Sequence, residues 1–141
     1  MEVSDVRRRV RAAIDDARRR ADERRARKDA AARDLERVLA DVAIPVFHQI
    51  AQALNAEGYR YTVTTPGTAV RLVSERGGEF IEAALDTEGD EPAVMIRSSR
   101  GRGRSTVTSE RSLGARAAVD VLTDTTLVDE VMADLIKLIE R

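Results

Sequence analysis

Forty consecutive residues without a glycine or a proline, from Val3 to Val42, constrain this chain more than any other feature. The stretch is dominated by Ala, Arg, Asp, Glu and Leu, mostly strong helix formers, and predicts one helix from residue 3 to about 42. Apolar residues recur along it at Val3, Val6, Val10, Ile14, Ala17 and Ala21, a spacing of three and four that draws one narrow stripe. The stripe thins to Ala21 and Ala26 among charges between Arg18 and Asp29, then resumes at Ala31, Leu35, Val38 and Val42, with Leu39 widening it. Opposite charges stand at helical spacing, as in Asp15 with Arg19, Asp16 with Arg20, and Glu23 with Arg27. Each such pair supports the helix by roughly 0.2–0.5 kcal/mol. At ~1.5 Å per residue the helix is roughly 60 Å long, more than a domain built from the rest of the chain can cover. Its N-terminal half is expected to project and to pair with another copy or a partner, through Val3, Val6, Val10, Ala17, Leu35 and Val38.

Pro45 then marks a kink or a fresh start, since proline removes a backbone donor and crowds the preceding turn. From Pro45 to Glu57 the helical period returns, with Val46, Phe47, Ile50, Ala51 and Leu54 on one face, and Gly58 stands where a helix-terminating glycine belongs. Beyond Tyr59 the period changes to two. Tyr59, Tyr61 and Val63 alternate with polar residues, Pro66-Gly67 signals a turn of the type II kind, and Val70 and Leu72 flank Arg71. A turn at Arg76-Gly77-Gly78, a strand over Phe80–Leu85, a turn over Thr87–Pro92 and a strand holding Val94 and Ile96 follow. A loop at Arg100-Gly101-Arg102-Gly103 leads to a weaker strand from Ser105 to Glu110. Short connections predict an antiparallel meander of four to five strands. Leu113 to Leu122 reads as an irregular connection or a short extra element. The final helix, capped by Thr123 or Asp124, presents Leu127, Val128, Val131, Met132, Leu135, Ile136 and Ile139, a face wide enough to pack on the sheet. The fold expected is therefore α+β, with a charged helical arm over residues 1–42 and an α+β domain over 43–141.

Charge and composition exclude several functions. The 141 residues hold 24 basic and 25 acidic side chains, so the chain as a whole is no polyanion binder. The distribution is uneven: residues 1–40 carry 13 basic and 9 acidic groups, and residues 41–141 carry 11 and 16. Lys28 and Lys137 are the only lysines, and this preference for arginine, alanine, aspartate and valine fits a GC-rich, bacterial-type genome. Without cysteine there is no disulfide, thiolate zinc site or cysteine nucleophile. The early arginines Arg7, Arg8, Arg9 and Arg11 do not suit a signal peptide, and Val38–Phe47, the most apolar stretch, is too short to span a bilayer. A cytoplasmic protein with no membrane contact is the expectation.

No catalytic, metal or cofactor motif emerges. His48 is the only histidine and sits beside Phe47 with no G-x-S-x-G elbow anywhere, which reads as a flanking residue of a helix. The acidic turn from Asp86 to Glu91 lacks the twelve-residue spacing of a calcium loop. Gly101 to Thr106 lacks the spacing of a phosphate-binding loop and leads into no helix. Arg97, Arg100, Arg102 and Arg104 do cluster on one glycine-loosened hairpin, a pattern that could follow a phosphate backbone. The helix arginines are interleaved with acids, however, and two Tyr, two Phe and no Trp leave little for base stacking. The leading expectation is a non-enzymatic assembly or adaptor protein, dimeric or bound to a protein partner through its N-terminal helix. Nucleic-acid binding through the 97–104 hairpin and the basic helix stripe is the alternative. An enzyme or small-ligand domain comes third.

Overall fold

The computed structural model describes residues 2–113 and 122–140, apart from the side chain of Arg102. The segment read as ambiguous, Leu113 to Leu122, thus lies mostly outside the described residues. Helix α1 spans Val3–Val38, a π-turn covers Leu39–Ala43, and helix α2 runs over Ile44–Ala56. Strands β1 (Tyr61–Thr64), β2 (Val70–Ser74), β3 (Phe80–Asp86), β4 (Ala93–Arg102) and β5 (Ser105–Ser112) follow, and helix α3 (Asp124–Ile139) comes last. The strands make one antiparallel sheet in the order β1-β2-β3-β4-β5. This is the α+β meander with a long first helix and a terminal helix that the periodicities predict.

The interruption near Pro45 takes the form of a π-turn, with Val38, Leu39, Ala43 and Ile44 all keeping right-handed helical dihedrals. Pro45 lies on the first turn of α2, where its missing N–H costs least. The π-turn has a second effect. Leu35, Leu39, Ala43 and Phe47 stand four apart, and all are essentially inaccessible. In a regular α-helix, at about 100° per residue, three such steps would drift by about 120° around the axis. A turn wound one residue wider absorbs most of that drift, so the four side chains meet the sheet in line.

Local signals fix the ends. At the C-terminus of α2, Gly58 takes φ +91°, the Tyr59 N–H donates to the Leu54 carbonyl at 2.9 Å, and the Gly58 N–H donates to Asn55 at 3.1 Å. That pair of bonds is a Schellman cap. Asn55 adds a side-chain amide that both accepts from the Tyr61 N–H (3.0 Å) and donates to the Tyr61 carbonyl (3.3 Å), tying the helix end to β1. Thr123 caps α3 by accepting from the Thr126 N–H at 3.2 Å. Two turns differ from expectation. The Ala69 N–H donates to the Pro66 carbonyl, so Gly67, at φ +60°, occupies the first central position and not the second that type II demands. Strand β4 also continues through Gly101 to Arg102, pairing with Thr106 and Ser105. Gly103, at φ +64°, and Arg104 alone turn the hairpin, a two-residue reversal with glycine first.

The core takes side chains from one face of the sheet: Tyr61, Val70, Leu72, Ile81, Ala83, Val94 and Ile96 pack with the helices. Helix α3 is rotated relative to the stripe read from sequence. Asp134 and Leu138 turn inward while Ile136 and Ile139 stay exposed. The cause lies on β5. The Arg111 guanidinium reaches Asp134 with one Nη 3.0 Å from both carboxylate oxygens. Its Nε donates to Glu130 Oε2 at 2.9 Å and its other Nη to the Glu130 carbonyl at 2.8 Å. Burial opposes the charged form of Arg111, but the hydrogen bonds and charges of Glu130 and Asp134 outweigh it and hold its pKa above the ordinary value. The Asp134 side chain is 1% exposed and that of Arg111 is 35% exposed, so losing the arginine is the worse loss. Arg111→Met strands a buried carboxylate and is expected to cost about 3–5 kcal/mol in urea denaturation. Asp134→Asn, which keeps a hydrogen-bond acceptor, costs less.

Candidate functional site

The exposed part of α1 is a surface that the fold does not account for. Leu35 is the first buried residue of the helix, and none from Val3 to Asp34 is buried. That stretch is roughly 48 Å of helix. Leu35 and the half-buried Val38 pack on the chain's own core, so these two members of the expected interface serve the fold. The helix enters the core eight residues before residue 43, where the domain was expected to begin, because Leu35 already reaches the sheet. Val3, Val6, Val10 and Ile14 remain exposed, Val3 at 76%, and Ala17 is exposed with them. At about 100° per residue, every stripe position from Val3 to Ala21 falls within about 60° of Leu35 around the axis. The exposed stripe is therefore the outward continuation of the face that packs the core.

Charge pairing supports the arm where the stripe fails. Asp16 is paired with both Arg19 and Arg20, Asp22 with Arg25, Asp5 with Arg8, and Asp34 with Arg37. Asp16–Arg20 is the pair expected from spacing; Arg19 chooses Asp16 over Asp15. All of these pairs are solvated, so each contributes only a few tenths of a kcal/mol (about 0.3–0.5).

The four hairpin arginines do not assemble into one cationic face. Residue alternation and the β4–β5 register put Arg97 and Arg100 on opposite sides of the sheet. Arg97 pairs with Glu110 at 3.3 Å and with Glu82 at 3.7 Å. Arg100 donates to the Lys137 carbonyl of α3. Arg104 is exposed on the turn, and the side chain of Arg102 is outside what is described. Gly101 to Thr106 forms the tip of the hairpin and no phosphate cradle.

Arg97 belongs to a different structure that sequence reading missed. Arg71, Glu82, Arg97 and Glu110 are successive register partners across β2, β3, β4 and β5, on the sheet face turned away from the core. Arg71 Nη2 is 2.9 Å from Glu82, and its guanidinium stacks 4.1 Å from the centre of the Phe80 ring. Glu82 is only 5% exposed although no described helix covers this face. Glu82 lies between Ile81 and Ala83 in the sequence, and that misfit in an apolar strand was the available signal.

Other candidates carry no chemistry. His48 is exposed on α2. In the acidic turn Asp86 accepts from the Glu88 N–H at 3.0 Å, and no three potential metal ligands converge among the described residues. An open polar cleft of about 750 Å³ lies beside Tyr59, Arg60, Glu75, Arg76 and Glu79. Its serine, Ser74, accepts from the Arg76 N–H, and no histidine lines it. A second, apolar groove of about 360 Å³ runs between α2 and α3. No described helix is long and apolar enough to cross a membrane. No family model, curated protein or solved structure matches the chain.

The charge ladder makes a stability prediction. Glu82→Ala leaves two guanidinium groups facing each other across β3 and is expected to cost about 1–3 kcal/mol. Glu110→Ala, whose carboxylate is half exposed, is expected to cost less than about 1 kcal/mol. Urea denaturation of the two variants side by side checks the order.

Proposed function

We propose that the protein is a non-enzymatic assembly or adaptor protein that binds through its N-terminal helical arm, with a second copy of itself as the first partner and a dimer as the expected state. The observation that carries this reading is the unbroken apolar stripe from Val3 to Ala17 on a helix with no buried residue before Leu35. A solitary helix gains little from propensity and needs tertiary packing of its apolar face to be held. The exposed valines and Ile14 supply that face, and the flanking ion pairs keep it soluble until it is covered. The α+β domain then acts as the platform that sets the arm's direction.

Nucleic-acid binding finds less support, because Arg97 is engaged by carboxylates and Arg100 by the α3 backbone. Catalysis finds less still, since the serine of the polar cleft has no histidine lining the cleft with it.

Light scattering on the full chain tests the proposal. Self-association at micromolar concentration is expected. The double substitution Val6→Asp and Val10→Asp, at exposed positions, should lower the affinity at least tenfold while circular dichroism of the domain stays unchanged. A wild-type chain that stays monomeric at high concentration removes the self-association form of the proposal.

A further inference from the structure

Among the described residues, the chain carries a second apolar surface besides the arm that nothing covers. Val46, Ile50 and Leu54 of α2 and Val128, Met132 and Leu135 of α3 line the groove between the two helices, with Ala53 and Gln49 exposed on its α2 side. Two helices side by side with an apolar trough between them offer a seat for a third, packed about 8–10 Å from each. The α2 wall, from Val46 to Glu57, is ~18 Å long, and so is the arm segment from Val3 to Ile14.

Charge selects the occupant. From Val3 to Ile14 the arm carries Arg7, Arg8, Arg9 and Arg11 against Asp5 alone. Helix α3 leaves Asp124 and Asp129 exposed, Glu130 and Asp134 being held by Arg111, and Glu57 stands on the groove wall. A basic segment with an apolar stripe thus faces an acidic surface with an apolar trough. The arm cannot reach the groove of its own chain, because α1 continues through the π-turn into α2 as one helical run and points away from it.

We infer that the Val3–Ile14 end of one arm docks in the α2–α3 groove of a second copy, which returns the contact to make a closed two-fold dimer. The inference rests on the self-association proposed above and adds the surface that the arm meets. A reciprocal exchange of this kind closes at two chains, since each groove is filled once. The opposite charges make association weaken as salt is raised.

The chain contains no cysteine, so engineered thiols report without background. Val6→Cys chains mixed with Ala53→Cys chains should form a disulfide-linked dimer on mild oxidation, and neither variant alone should. Ala53→Arg on the otherwise intact chain adds a like charge to the seat at an exposed position, and should weaken dimerisation at least tenfold by light scattering with unchanged circular dichroism. An Ala53→Arg chain that dimerises as tightly as wild type overturns the docking site. So does self-linking of Val6→Cys, which would place arm against arm and leave self-association standing. A wild-type chain that is monomeric throughout removes both.

Discussion

The packing of one line of side chains, Leu35, Leu39, Ala43 and Phe47, onto one face of a five-stranded sheet is what the rest of the molecule depends on. It anchors the helical run Val3–Ala56 to a domain of modest size, and it does so in the C-terminal half of that run. No residue of the helix before Leu35 is buried, whereas beyond Phe47 it still buries Ile50, Ala51 and Leu54. The sheet returns the contact with Val70, Leu72, Ile81, Val94 and Ile96, supplied at alternate positions of its strands. Four-residue spacing does not suit a plain α-helix over that distance. The π-turn reconciles the spacing with the flat surface beneath it.

Two charged networks divide the sheet between them. On the covered face, Arg111 reaches Glu130 and Asp134 and sets the rotation of α3. On the other face, Arg71, Glu82, Arg97 and Glu110 cross four strands, and Glu82 is buried there with no described helix above it. Both use arginine to satisfy a carboxylate that the sequence places among apolar neighbours. Arginine suits this role because its planar fork holds two partners at once. Arg71, Arg97 and Arg111 are thus spent internally and add no free cationic surface.

The sequence made the architecture legible where periodicity was strong. The Gly-free and Pro-free run, the alternation of Tyr61 and Val63, Gly58 as a helix stop and Thr123 as a helix start all correspond to observed features, although the strand begins at Tyr61 and leaves Tyr59 exposed outside it. Legibility failed where long-range contacts decide. Asp134 sits in the α3 stripe at a core position, and only Arg111, 23 residues earlier, explains it. The rotation of α3 that exposes Ile136 and Ile139 follows from the same contact. Arg97 and Arg100 look like one cluster in sequence, yet the extension of β4 to Arg102 sends them to opposite faces. The arm's exposed stripe was readable from spacing alone. The point where it enters the core was not, because Leu35 differs from the residues before it only in what lies underneath.

The π-turn couples two properties of the arm that would otherwise vary separately. Because the helical run is continuous from the arm into the core, the direction the stripe faces is geared to the number of residues between it and Leu35. One residue added between Asp22 and Asp34 would advance the tip by ~1.5 Å and also swing the stripe by about 100°. Seven residues would extend the reach by ~10 Å and turn it by only about 20°. Reach can therefore change in whole heptads at little angular cost, while single-residue changes in the charged stretch re-aim the arm with no altered side chain on either surface.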